Sequence, residues 1–232
     1  MTTEVPALIV VTDRHAAERS GRSLRDVIAA VVNGGAPAVL YRDRDLADPE
    51  RRELGETLQP VVTAAEAQLF VSADVALARH LDAAGVHLPA GAPAFAEPGG
   101  LLVGRSCHGD VEVAAARDEG ADYAFVSPVA ESSSKPGYGP ALGETGLRRL
   151  VAVAEGLPLL ALGGVTPENT ARWRAVGASG IAVMGSVMAA RDPAEMVRRL
   201  LAAWNDPAHA ENYRGAMQRE YASFDQTYGG TT

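Results

Sequence analysis

Residues 158–185 read PLLALGGVTPENTARWRAVGASGIAVMG, and this stretch sets the class of fold. An apolar run ends at Gly163-Gly164. Thr166 then stands as an N-cap with Pro167 at the first helical position, and the helical stretch stops at Gly177. A second apolar run, GIAVMG, follows. Neither run alternates apolar with polar. Continuous apolar character is the mark of parallel strands covered on both faces, so the segment reads as strand, helix, strand.

Working outward, the same unit recurs. Strand-like runs lie at 7–12, 38–41, 68–72, 85–88, 101–106, 122–127, 158–164 and 180–185. Helical stretches separate them: Ser23 caps one that stops at Gly34-Gly35, and Asp192-Pro193 opens another over 192–204. The connection at 89–99, PAGAPAFAEPG, is poor in helix signals and is expected to carry a short or degenerate helix. Eight strands alternating with helices predict an α/β fold, a (β/α)8 TIM barrel over residues 1–204, with its active site at the carboxyl ends of the strands. A doubly wound open sheet is the alternative, which strand count alone does not exclude; no Gly-x-Gly-x-x-Gly follows the first strand, so a dinucleotide ligand lacks support. Residues 205–232 fall outside the barrel. Tyr213, Met217, Tyr221 and Phe224 recur there at helical spacing, which predicts a helix on the barrel, across a homodimer interface or over a ligand, before a frayed end.

The chain has 232 residues and a formal net charge of −8, which disfavours nucleic acid and anionic membranes as partners. An anionic small molecule remains compatible, because local basic residues override the global sign. Cys107 is the single cysteine, so neither an internal disulfide nor a cysteine metal cluster is expected. No secretory signal or membrane-length apolar run is seen, and a cytoplasmic location is expected.

In such a barrel the polar residues just past each strand converge on one bowl. Leu102, Gly104, Ser106 and His108 share one parity, so Ser106 and His108 are expected to emerge side by side. His108 is a candidate general acid/base or a loop histidine ahead of a helix capped by Asp110. His87, in GVHLPAG, is a second candidate, whereas Cys107 points toward the helical layer and His80 lies on a surface helix. Arg42 and Arg44 share a parity after the second strand and suit a carboxylate or phosphate, unless RDRDLADPERR is only a solvated, salt-bridged loop. Gly163 and Gly164 after the seventh strand, with Gly185 and Ser186 after the eighth, are placed to hold a phosphate through backbone amides, or serve only as turn glycines.

Taken together, VTDRH, VLYRDRDL, LFVSADVALARHLDAAGVHLPAG, VGRSCH, GADYAFVSPVAESSSK, LALGGVTPEN and GASGIAVMGSV resemble, in order, the thiamine phosphate synthase and thiazole tautomerase (TenI-type) superfamily over residues 7–203. The resemblance implies a barrel that binds a small anionic phosphorylated heterocycle. Synthases carry an Asn-Asp pair after the third strand and a further carboxylate after the fourth, which together hold Mg²⁺. Here those places hold Ser72-Ala73 and Pro89-Ala90-Gly91-Ala92, and the synthase lysine is Arg44. These departures resemble the tautomerase branch.

That branch implies aromatisation of a carboxythiazole phosphate with no metal or organic cofactor, Mg²⁺ entering only with the synthase alternative. His108 would carry the proton and Ser106 would orient it or the ring. Arg42, Arg44 and Lys135 would hold anionic groups, with the phosphate at Gly163, Gly164, Gly185 and Ser186. Gly109 and Ala130 depart from residues common in relatives. A non-catalytic regulator that binds a thiamine-related phosphate is a third reading.

Overall fold

The computed structural model describes residues 4–93, 99–131 and 140–206. Eight strands, β1 (Leu8–Val11), β2 (Ala38–Tyr41), β3 (Gln68–Ser72), β4 (Gly85–Leu88), β5 (Leu102–Cys107), β6 (Tyr123–Val126), β7 (Leu159–Leu162) and β8 (Gly180–Val183), pair in parallel and in sequence order into a closed barrel. Closure is made by β1 against β8, with Leu8 opposite Ile181 and Val10 opposite Val183. The open-sheet alternative is thereby excluded. Around the barrel run α1 (Arg14–Arg19), α2 (Leu24–Asn33), α3 (Asp48–Ala64), α4 (Val75–His80), α5 (Asp110–Asp118), α6 (Gly143–Ala154), α7 (Pro167–Val176), α8 (Gly185–Met188) and α9 (Pro193–Asn205). Among the described residues no helix is long and apolar enough to cross a membrane.

The period-two alternation of each strand divides the core in two. Ile9, Leu40, Phe70, Leu102, Tyr123, Phe125 and Leu160 fill the barrel. Their chain neighbours, among them Val10, Val39, Val71, Val103, Cys107 and Ile181, pack outward against the helices. Both faces are buried, which is why the strands read as unbroken apolar runs. The helices begin where their capping residues sit: Ser23 Oγ accepts from the Asp26 amide at 3.1 Å, and Asp192 Oδ1 from the Glu195 amide at 2.9 Å.

Two expectations change. Asp110 is the first residue of α5, and Gly109 takes the cap position. The charged run after β2 is no long loop, because α3 begins at Asp48 and buries Arg51. The short helix expected over 89–99 falls on a connection whose residues 94–98 lie outside the described ones; the described residues at its two ends form no helix. Pro93 and Ala92 are held instead by Arg105, whose guanidinium donates to their carbonyls at 3.0 and 2.7 Å and pairs with Glu119. Lys135 and the helix expected over 207–232, with its dimer contact, lie outside the described residues.

Candidate active site

A cavity of about 1250 Å³ opens at the carboxyl ends of the strands. Arg42, Arg44, Ser106, Gly163, Gly164, Gly185 and Ser186 all line it, from four different strand ends. His108 is absent from the lining, and His87 is present.

The arginine side is built by the first two strands. Thr12, just past β1, donates its hydroxyl to Asp43 Oδ2 at 2.5 Å and accepts the Arg42 amide at 2.8 Å. Asp43 also accepts the Arg14 amide at 2.8 Å and is buried. The carboxylate between the two arginines is thus committed to the β1 loop. Neither Arg42 nor Arg44 has a carboxylate within ion-pairing distance among the described residues. Desolvation lowers the Arg44 pKa from the ordinary arginine value, and the charges of Arg42 and Arg51 lower it further. Two cations on one wall, with no carboxylate paired to either among the described residues, are suited to an anionic group.

The floor is aromatic and polar together. His87 is buried, with its ring 4.1 Å from that of Phe125, centroid to centroid. Its Nε2 lies 2.9 Å from Ser106 Oγ and its Nδ1 lies 3.3 Å from the Tyr123 hydroxyl. Burial, then the positive charges of Arg44 and Arg105, push the imidazole pKa down to about 3, so the ring is neutral at ordinary pH.

His108 stands one residue beyond β5, exposed, and its Nδ1 lies 2.9 Å from the Ser127 carbonyl. A carbonyl only accepts, so Nδ1 carries the proton and Nε2 is the basic nitrogen. Ser127 itself lines the cavity, so the imidazole is tethered to its rim. Ser106 and His108 therefore do not meet as a pair; Ser106 meets His87. Parity fails for His108 because the strand has ended. Cys107 is buried among outward-facing residues and its thiol pKa is pushed up to about 12 by burial, which suits packing.

The glycine side is shaped by β6, β7 and α7. Gly164 has φ +67°, and a Cβ there would stand 2.4 Å from the Glu131 carbonyl oxygen. Both its backbone conformation and the closeness of the β6 loop demand glycine. Asn169 locks the turn: its amide donates to the Gly164 carbonyl at 2.7 Å while its oxygen accepts the Thr166 amide at 2.9 Å. That role of the Asn in GGVTPEN is invisible without the fold. Gly185 and Ser186 open α8, whose first amides have no intrahelical acceptor.

The described residues do not fit a Mg²⁺ centre. The two runs that stand where synthases carry metal carboxylates, Ser72-Ala73 and Pro89-Ala90-Gly91-Ala92, hold no Asp or Glu, and Ser72 and Pro89 of these runs line the cavity. Nearby Asp74 caps α4 through the Leu77 amide at 2.8 Å and pairs with Arg51 at 3.3 Å. Among the described residues no three His, Cys, Asp or Glu side chains cluster to hold an ion.

Comparison with known proteins agrees with this architecture. The chain is 37% identical over 196 residues to the thiamine-phosphate synthase of Roseiflexus castenholzii, covering 82% of this chain and 85% of that protein. It is 35% identical over 207 residues to the thiamine-phosphate synthase of Natronomonas pharaonis, covering 86% and 95%. Thiamine phosphate pyrophosphorylase from Pyrococcus furiosus superposes with a TM-score of 0.74 at 28% identity, covering 85% of this chain and 94% of that one. The family profile described as thiamine monophosphate synthase, TMP-TENI, matches residues 8–187, and the chain belongs to that family.

Proposed function

We propose that this chain is an isomerase of the thiazole tautomerase type, which moves a proton within a carboxythiazole phosphate and needs no metal. The observation that carries the reading is the pair Arg42 and Arg44, with no carboxylate partner among the described residues, in a cavity lined by Ser72 and Pro89 from two runs that lack the metal carboxylates of the synthases.

The substrate has two anionic ends. On this reading the arginine forks take the ring carboxylate, and the amides at 163–164 and 185–186 take the phosphate. His108 Nε2 removes the proton from the ring carbon that bears the carboxylate. The same imidazolium returns a proton to the exocyclic carbon of the ylidene side chain, and the double bond shifts into the ring. No group leaves and nothing is oxidised, so one acid/base completes the cycle. Lys135, outside the described residues, would add positive charge on this reading.

A second reading, thiamine-phosphate synthase, is favoured by the names of the relatives. One NMR experiment separates the two. The non-aromatic thiazole phosphate in D₂O, without added Mg²⁺, is expected to aromatise with deuterium uptake. If it stays unchanged while a pyrimidine pyrophosphate and the thiazole phosphate condense in excess Mg²⁺, the synthase reading replaces ours.

A further inference from the structure

We propose that Tyr123, His87 and Ser106 form a hydrogen-bond relay of fixed direction through the barrel, which presents the Ser106 hydroxyl to the cavity as a donor. Tyr123 and His87 are positioning residues in this arrangement, and Ser106 is the group that touches ligand. The inference goes beyond the reaction assigned above, since the direction follows from the protein's own donors and acceptors.

The relay exists because of Gly104. In the barrel register His87 on β4 pairs with Gly104 on β5, and Gly104 pairs with Tyr123 on β6. The middle position of this layer has no side chain, so the two flanking rings reach across it and meet. A Cβ on Gly104 would stand 2.2 Å from Tyr123 Cζ, 2.5 Å from its hydroxyl oxygen and 2.6 Å from His87 Nδ1. The glycine leaves a notch, and the Tyr123–His87 contact fills it. Ser106, two residues on, points into the same interior and receives the other ring nitrogen.

Counting hydrogens gives the direction. The Tyr123 side chain is fully buried, and among the described residues its hydroxyl has one polar neighbour, His87 Nδ1. A neutral imidazole has a single N–H. If that hydrogen were on Nδ1, it would bond the tyrosine oxygen and the phenolic hydrogen would be buried with no acceptor. With the hydrogen on Nε2, the phenol donates to Nδ1, Nε2–H donates to Ser106 Oγ, and every buried hydrogen is satisfied. The serine hydrogen is then the one left over, and it faces the cavity. A neutral ring suits its place, in a ring stack with Phe125 and Tyr123 and near the cationic Arg44 and Arg105. The relay therefore selects a ligand that sets a hydrogen-bond acceptor, such as a ring nitrogen or an anionic oxygen, against Ser106.

The test is ¹⁵N NMR of the full chain labelled in histidine, with the His87 signals assigned by His87→Gln. The expected result in the unliganded protein is a proton on Nε2 and a bare Nδ1, unchanged from about pH 8 to about pH 5. A proton on Nδ1, or a ring that becomes charged within that range, would overturn the relay whether or not tautomerase activity is found. Tyr123→Phe should let the Nδ1–H form appear and raise the Kd for the aromatic carboxythiazole phosphate about five- to tenfold. Combined with Ser106→Ala it should add nothing to the loss from Ser106→Ala alone. Additive losses would mean that the tyrosine acts by packing and the proposal is wrong. Should Tyr123→Phe fail to fold, the tautomer of the unmodified protein still gives the answer.

Discussion

The Thr12 hydroxyl donates to Asp43 Oδ2 at 2.5 Å, and this single contact between the ends of β1 and β2 charges the cavity. Asp43 sits between Arg42 and Arg44 in sequence and would neutralise them if it turned inward. Tied to Thr12 and to the Arg14 amide, it stays buried on the other face of the loop. Asp43→Ala should therefore lower stability by about 2 kcal/mol, the scale of hydrogen bonds to a buried charge, read from urea unfolding.

Removing either cavity arginine should weaken binding without harming the fold. Arg42→Ala and Arg44→Ala are each expected to raise the Kd for the carboxythiazole phosphate about 10- to 100-fold, measured by calorimetry. The loss should shrink as salt is added, because the missing term is electrostatic. Unchanged affinity in both variants would remove the anion site.

His108→Ala separates catalysis from binding. Proton-transfer rate should fall roughly 10²-fold or more while ligand affinity is mostly kept. A rate within about threefold of the unmodified protein would show that another group carries the proton.

Gly164→Ala tests the glycine side. A methyl group at φ +67° and 2.4 Å from the Glu131 carbonyl oxygen must push the β6 and β7 loops apart. The expected cost is more than about 1 kcal/mol in unfolding free energy, with weaker binding of inorganic phosphate in the same variant.

The buried imidazole also makes a pH prediction. His87 has a folded pKa of about 3, against about 6.5 in the unfolded chain. Below 6.5 the unfolded state binds a proton that the folded state does not, so stability falls as pH drops from about 6.5 toward about 3. The slope due to this group is on the order of 1 kcal/mol per pH unit, and His87→Gln should flatten it in urea titrations at several pH values.

The local sequence determined the strands, the caps at Ser23, Thr166 and Asp192, and the barrel class. Apolar runs, N-cap residues and prolines at first helical positions act over a few residues, so their signals at 7–12, 23–35 and 158–185 are complete where they stand. The face rule held inside β5, where Ser106 points to the cavity and Cys107 away from it. The arginines and glycines gathered where their strand ends implied. What the tertiary structure alone decided is which neighbours meet. Parity cannot follow His108 past the end of its strand, and pairing of β4 with β5 set Ser106 beside His87 instead. Nor does any local signal say that Gly104 is a notch, that Asn169 holds Gly164 or that Asp43 turns away from its arginines. Those contacts join residues brought together only when the sheet closes, and closure depends on the packing of every strand at once.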